Sequence, residues 1–439
     1  MKRANLDKLH CPYCSSRFKL FKEINIREDD IINGIVSCNC AVFPLVDGTL
    51  FLKITDGLLL KRVLLALGDS RPREALFYLL SSERDLFKVL ASGLRRLRFI
   101  PGSAARKIEI SFRKLYGKKV ANAGSFSKAV TATGLEHHYS DYLKYRFSSA
   151  SFIASIPLIS AAMADYEGDI LEIGCGMGHS AFIISQLYPE RKLTLVDSSF
   201  ANLYLAKRFH VTNAEFICHD ANNPLPFADK DFKAVFSMDA IHYIYSKSQL
   251  MREITRVSSS DSIKVFTHLH SIDGHDYCKG YSLNLGGWAD LMKFPGSRIF
   301  SDKKILKDFL IENELNLSDS LSESTPEAEI SNSFSVVASS RESVFKLYER
   351  IGERFFKIQN NIKINPIYRI SPNNAEVVLR KICPSELFKS ENEMLDSFMP
   401  ETVSLSKELF RQLTSGYISV ENKNSVYGLM KKFVLINKN

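Results

Sequence analysis

Ile170-Leu-Glu-Ile-Gly174-Cys-Gly176-Met-Gly178-His179 is the stretch on which the reading of this chain turns. An apolar strand runs straight into three closely spaced glycines. Glycine has no Cβ, so such a turn can take positive φ angles and the main chain can approach a bound molecule closely. The segment that follows, His179 to Tyr188, reads as a helix whose first amides point back at the same ligand. Glycines also serve tight strand-to-helix turns for structural reasons alone, so the neighbouring sequence has to decide.

A second apolar run, Leu193-Thr-Leu-Val196, ends in Asp197. That acid follows Gly174 at about the 20-residue spacing at which nucleotide-binding sheets set a carboxylate on ribose hydroxyls. The glycine pattern is G-x-G-x-G, and His179 stands where a dinucleotide fingerprint wants its third glycine. NAD is therefore disfavoured.

The downstream order resembles that of class I S-adenosylmethionine (SAM) dependent methyltransferases over roughly residues 135–340. Glu172 to Gly178 is similar to their first motif, and Leu193 to Asp197 to the second. Phe216-Ile-Cys-His-Asp220-Ala221 resembles the end of their third strand, where an acid faces the adenine amino group and a backbone amide faces the ring. Asn222-Asn-Pro-Leu-Pro-Phe227 and Asp231-Phe-Lys-Ala-Val-Phe-Ser-Met238 resemble the passage into the fourth strand, and Ser246 to Val257 the amphipathic helix after it. The resemblance implies that Glu172, Gly174, Gly176, Gly178, Asp197, Ser198, Asp220, Ala221 and Met238 hold SAM. It also implies that Glu136-His-His-Tyr139-Ser-Asp-Tyr142-Leu-Lys-Tyr145-Arg146 is a tyrosine-bearing helix closing over the cofactor, with Tyr139, Tyr142 and Arg146 on one face. Core packing explains those tyrosines as well.

Two departures stand out. Val257-Ser-Ser-Ser-Asp-Ser262 replaces the Lys-Pro-Gly-Gly turn common before the fifth strand, and no Asn/Asp-Pro-Pro-Tyr/Phe sequence follows the fourth. The second removes the usual mark of adenine or amide nitrogen methylation.

Methyl transfer from a sulfonium asks mainly for positioning, exclusion of water and, for a hydroxyl or ammonium acceptor, help with a proton. In an open parallel sheet the reacting atoms gather beyond the carboxyl ends of the strands. Asp239, His242 and Tyr243 fall just past strand four, and His268 and His270 just past strand five, read as Ile263 to Thr267. His242 is the first candidate for a general base, with His268 and His270 beside it; helix capping or packing is the bland alternative for His242. His268, His270, Asp273, His275 and Asp276 also form a metal-like cluster. Alternate strand residues point to opposite faces and the remainder are loop residues, so a substrate-facing loop is expected there in preference to a metal site.

The N-terminus carries Cys11-Pro-Tyr-Cys14 and Cys38-Asn-Cys40, half of the eight cysteines. The first pair has zinc-knuckle spacing, and a structural zinc held by Cys11, Cys14, Cys38 and Cys40 would supply folding energy that so short a module lacks. Cys-x-Cys is tighter than the usual second pair. The segment, with Phe43 to Leu52 after it, resembles short zinc-ribbon modules that partner or precede methyltransferases, over about residues 6–53. Met1 to Leu9 has charges throughout and no apolar h-region, so a reducing cytoplasm and metal chemistry are expected over a disulfide framework.

At 439 residues, 45% hydrophobic and 24% charged, the chain has material for several modules. No apolar run approaches the length of a membrane span. The expected organisation is α/β: a zinc-ribbon-like module (1–53), a helical insert (54–134), a Rossmann-like seven-stranded methyltransferase core (135–340) and a small C-terminal α/β domain (341–439) of winged-helix-like outline. Helices are expected at Leu58 to Leu67, Pro72 to Leu80, Asp85 to Leu97 and Val403 to Leu413. Strands are expected near Ile330 to Ala338, at Ile367 to Ile370 and at Ala375 to Ile382. Arg95, Arg96, Arg98, Arg106, Lys107, Arg113, Lys114, Lys118 and Lys119 face a single acid, Glu109, in a chain of net charge +9. Such a patch could hold RNA, an acidic carrier protein or an anionic substrate, and is equally a solvated helix face.

The sequence thus points to methylation, at oxygen or nitrogen, of a small molecule or carrier-bound metabolite, as in relatives from secondary metabolism. An RNA methyltransferase with an N-terminal zinc finger and a non-catalytic SAM-binding protein are the competing readings.

Overall fold

The computed structural model describes residues 1–54, 57–82, 102–135, 137–273, 280–321, 332–352, 362–372, 376–415 and 434–436. The expected helix at Asp85 to Leu97, the basic residues Arg95 to Arg98, and Glu136, His275 and Asp276 lie outside them. Two compact units emerge, one of residues 1–135, 176–178 and 194–228, the other of 136–175, 179–193 and 229–439.

In the first unit β1 (Lys19–Arg27), β2 (Asp30–Ser37), β3 (Val42–Val46) and β4 (Thr49–Phe51) form an antiparallel meander. β4 then pairs in parallel with a later strand, Glu215–Cys218, through Thr49↔Phe216 to Phe51↔Cys218. That strand lies parallel to Leu193–Asp197. The segment carrying the cysteines therefore extends the parallel sheet. Leu195, Val196, Phe216 and Ile217 are almost fully buried, as befits parallel strands covered on both faces. Helices Gly57–Gly68 and Pro72–Leu80 fall where the apolar periodicity puts them.

In the second unit, with Ile170–Ile173 counted as β5, Leu193–Asp197 as β6 and Glu215–Cys218 as β7, strand β5 pairs in parallel with β8 (Phe232–Met238). β8 pairs in parallel with β9 (Ser258–His270). With Ser297–Ser301 as β10, Glu314–Asn316 as β11 and Ser333–Ser339 as β12, β9 pairs antiparallel with β12 and β12 with β10. The fold is Rossmann-like, with a mixed sheet and helices between its parallel strands. Between β8 and β9, helix Lys247–Val257 buries Leu250, Met251, Ile254 and Val257 at helical spacing.

β9 begins earlier and ends later than the apolar run suggests. The polar link Ser258 to Ser262 is already strand, absorbed as an irregularity between Phe232↔Ser258 and Ala234↔Ile263. Asp261 within it accepts from Lys233 at 2.5 Å and Arg341 at 2.9 Å, which gives these polar residues partners. At the other end a second irregularity, between Phe334↔Leu269 and Val336↔Phe266, gives β9 one extra residue.

Toward the C-terminus, Tyr368–Pro372, Glu376–Lys381 and Thr402–Ser406 make an antiparallel meander, followed by helix Lys407–Ser415. The expected helix from Val403 is corrected: Val403 to Ser406 pair with Glu376 to Leu379. The alternation of Thr402-Val-Ser-Leu-Ser406 buries Leu405, a period of two that suits a strand.

Candidate active site

The glycine turn is built from backbone that a side chain would spoil. Gly174 has φ +71°, and a Cβ there would meet the Ala240 Cβ at 2.4 Å. Gly176, at φ +52°, has nothing within 4 Å of that position, so open space lies beside its main chain. Glu172 is buried at the end of β5 and accepts from the Ser180 hydroxyl on helix His179–Leu187, the helix into which Gly178 leads.

In the first unit, Asp197 at the end of β6 accepts the Gly176 N–H at 2.8 Å through one oxygen. The other oxygen accepts the Ser199 N–H at 2.8 Å and the Asn202 side-chain amide at 3.3 Å. Burial raises its pKa, while these hydrogen bonds oppose the rise. Its backbone carbonyl accepts from the His219 N–H at 3.0 Å, which sets Asp220 beside it. Asp220 caps its own turn, accepting the Asn222 N–H at 3.0 Å and side-chain amide at 2.8 Å. Ala221 is buried, and the Ser198 carbonyl accepts from Lys53 at 2.7 Å. A carboxylate at a strand end beside a glycine with open space over it fits an adenosyl group, whose ribose hydroxyls want an acceptor and whose ring wants close backbone.

The second unit gathers a polar cluster at the carboxyl ends of β8 and β9. Its centre is Asp239, at φ +53° directly after Met238, with its N–H bonded to the Thr267 carbonyl at 2.9 Å. One carboxylate oxygen accepts the Tyr142 hydroxyl at 2.6 Å and the Arg146 guanidinium at 2.8 Å. Arg146 also lies over the Tyr142 ring at 4.7 Å. The other oxygen meets His270 Nε2 at 3.0 Å and His242 Nε2 at 3.8 Å. Burial alone would push Asp239 up, but Arg146, His270 and His268 hold it well below the usual carboxylate range.

His268, at φ +57° in the irregular end of β9, bonds Asp302 through Nδ1 at 2.8 Å. Asp302 is fully buried and also accepts the Ser335 hydroxyl at 2.6 Å. The His268 and His270 rings lie 4.7 Å apart. Although the extra residue and the positive φ of His268 break the period of two here, the two rings lie side by side, so the expectation of scattered side chains does not hold for this pair. Asp239, His268 and His270 each have a ligating atom within 4.8 Å of the others.

His242 stands differently. Its side chain is 0% exposed against 19% for His270, and its carbonyl accepts the Tyr281 N–H at 2.7 Å and Lys247 at 3.3 Å. It backs the cluster, its ring 4.5 Å from that of His270. Tyr139 is half-buried on helix His137–Lys144, which also carries Tyr142. Asp302 and Ser335 escape a reading of the sequence: the former reads only as a first-turn acid after the helix cap Ser301, the latter as a strand residue.

In the first unit the four N-terminal cysteines converge, with all Sγ atoms within 4.8 Å of one another. Cys11 and Cys40 are 3.7 Å apart, Cys38 and Cys40 3.5 Å. Four thiolates about 2.3 Å from a tetrahedral zinc would stand about 3.8 Å from each other, so the group could hold that ion despite its short second spacing. Hydrogen bonds from Ser16 lower Cys14 to about 6, while burial raises Cys11 to about 11.

Residues 170–261 match the family described as "Methyltransferase domain". The chain carries a methyltransferase domain. The match begins at β5 and ends within the irregular start of β9, so it contains the glycine turn, Asp197, Asp220 and Asp239. Among similar proteins is the fatty-acid O-methyltransferase of Mycolicibacterium smegmatis, 33% identical over 22% of this chain and 36% of its own length. Another is the malonyl-(acyl-carrier protein) O-methyltransferase of Legionella pneumophila, 32% identical over 23% of this chain and 36% of its own length. The chain thus spans little over a third of these relatives. A solved SAM-dependent methyltransferase from Aquifex aeolicus aligns with 30% of this chain and 75% of its own at 15% identity, with a TM-score of 0.28. Among the described residues no helix is long and apolar enough to cross a membrane.

Proposed function

We propose that this chain binds SAM along the glycine turn and transfers its methyl group to an oxygen or nitrogen of a small or carrier-bound acceptor. Bound SAM supplies a methyl group already activated on a sulfonium. The residues of this chain then have three tasks. Gly176 leaves room for the ligand's close approach, and Asp197 and Asp220 offer carboxylates to ribose and adenine. Tyr142 and Arg146 fix Asp239, and Asp239 and Asp302 orient His270 and His268 toward the acceptor side of β8 and β9.

The observation that carries this reading is the coupling of Asp197 to the Gly176 amide beside open space. It supports a cradle and not merely a tight turn. The paired Asp–His contacts favour an acceptor that must lose a proton, such as a hydroxyl, since a carboxylate acceptor is anionic already. The relatives named for fatty-acid and malonyl-(acyl-carrier protein) O-methylation support oxygen methylation of a lipid or carrier-bound acceptor; the oxygens they methylate belong to carboxylates, so the preference for a hydroxyl rests on the Asp–His contacts alone. On helix Gly102–Ala121, Arg113 is spent on Glu109 and the Ser81 carbonyl, and Lys114 on Glu74, which weakens the case for an RNA-binding face.

Zinc in the four-cysteine group completes the proposal as a structural ion. The test of the whole is transfer from methyl-labelled SAM into a cell extract, with identification of the labelled product. No transfer, together with no SAM binding by calorimetry, would refute it. A labelled product that is RNA, with affinity falling steeply as salt rises, would replace the acceptor class.

A further inference from the structure

We propose that Asp239, His268 and His270 bind one divalent first-row transition-metal ion at the acceptor end of β8 and β9. Two imidazoles and one carboxylate are a ligand set that such ions favour, and three protein ligands leave positions open for a substrate oxygen. One separation already suits it, and all three ligating atoms lie within 4.8 Å of one another. His270 Nε2 and Asp239 Oδ1 stand 3.0 Å apart. Two ligands about 2.1 Å from one ion and at angles between octahedral and tetrahedral stand about 3.0–3.4 Å apart.

The surroundings are those of a ligand set. His268 gives Nδ1 to Asp302, itself held by Ser335, which leaves Nε2 as the nitrogen an ion would take. A histidine ligand is oriented in this way by a carboxylate on its second nitrogen. Tyr142 and Arg146 both take the Asp239 oxygen away from His270, so the remaining oxygen is turned inward as a single donor. Asp239 and His268 both hold positive φ, in facing strand ends, where regular strand geometry would have been cheaper. His242 closes the buried side of the cluster, and the more open His270 marks its mouth. An ion here would bind and acidify an acceptor hydroxyl, whose proton would pass to solvent. That use rests on the methyl-transfer reading; ion binding does not.

The test is a titration of the metal-stripped full-length chain with Co2+, followed by visible and near-ultraviolet absorption. Cobalt bound by the cysteines brings an intense thiolate charge-transfer band, whereas cobalt bound by His268, His270 and Asp239 brings ligand-field bands without it. The expected result is one equivalent that adds ligand-field intensity and no thiolate band, is lost in His270→Ala, and binds about 10–100-fold more weakly in Asp302→Asn. The proposal is overturned if all bound cobalt carries the thiolate signature, or if both variants titrate as the parent does. Should His270→Ala not fold, Asp302→Asn decides alone. SAM affinity measured on the same samples separates the readings: SAM bound without the histidine-bound ion removes the metal site only, and the ion bound without SAM removes the methyl-transfer reading only.

Discussion

Lys264 offers a sharp test of how the second unit's sheet is packed. It lies in β9 between Ile263 and Val265, both 0% exposed, and is itself only 8% exposed. β9 is flanked by β8 at Val235 and by β12 at Ala338, so the ammonium has little way to water. It reaches the Ser262 hydroxyl at 2.8 Å and the face of Phe294 at 5.4 Å, and among the described residues no carboxylate offsets its burial. Burial lowers its pKa from 10.5 to about 8. A drop of that size corresponds to about 3 kcal/mol against the folded state wherever the amine is charged in both states.

The sign follows from proton counting. Between about pH 8 and 10.5 the unfolded chain holds more protons than the folded one at this site, so stability rises with pH through that window. Below it the penalty is at its maximum, and by pH 10 it has shrunk to about 1 kcal/mol. Lys264→Met keeps the volume and removes the charge, so it should stabilise the protein by about 1–3 kcal/mol at pH 7 and by much less at pH 10. The chain has one tryptophan, Trp288, buried in the same unit with its Nε1–H donated to the His270 carbonyl at 2.8 Å. Urea unfolding followed by its fluorescence at the two pH values makes the comparison. Equal gains at both, or a loss at pH 7, would refute the account of an uncompensated buried charge.

Four further outcomes are expected. Asp197→Ala should weaken SAM binding by about 1–3 kcal/mol in calorimetry, through loss of a charged acceptor and the freeing of the Gly176 amide; unaltered affinity would remove it from the cradle. Gly174→Ala should abolish SAM binding and lower the melting temperature, and adding Ala240→Gly should restore part of the stability, since the contact goes but the φ of +71° stays. Arg146→Met should cost about 3 kcal/mol in urea unfolding at pH 7 by leaving Asp239 buried without its cation; a cost below about 0.5 kcal/mol would mean Tyr142 and His270 suffice. Chelator should lower the first unit's melting temperature in the parent and have no such effect in a Cys11→Ser/Cys14→Ser variant, which should already melt low.

The parallel strands could be read from the chain because Ile170 to Ile173, Leu193 to Val196 and Phe216 to Cys218 are short apolar runs closed by glycine or acid, and both faces of such strands are buried. The glycine turn was readable for the same local reason. β9 was not. Its first residues are serines whose strand character comes from pairing with Phe232, and its end depends on an extra residue opposite Val336, a matter of register between distant segments. The candidate site divides likewise. Asp197, Asp220 and the cysteines announce themselves by spacing, whereas the Asp239 hub needs Arg146, Asp302 and Ser335, which are separated by long stretches of chain and carry no shared local pattern. His242, conspicuous in the sequence, proves to be the enclosed member of its group.

The pairing of β4 with β7 has a practical consequence. A chain shortened to begin after residue 53 would leave Phe216 to Cys218 with a bare row of amides and carbonyls along one side. Such an exposed apolar border invites another molecule to complete it. The N-terminal segment is thus no detachable label but a selvage, and trimming it should yield clumped material in place of a leaner protein.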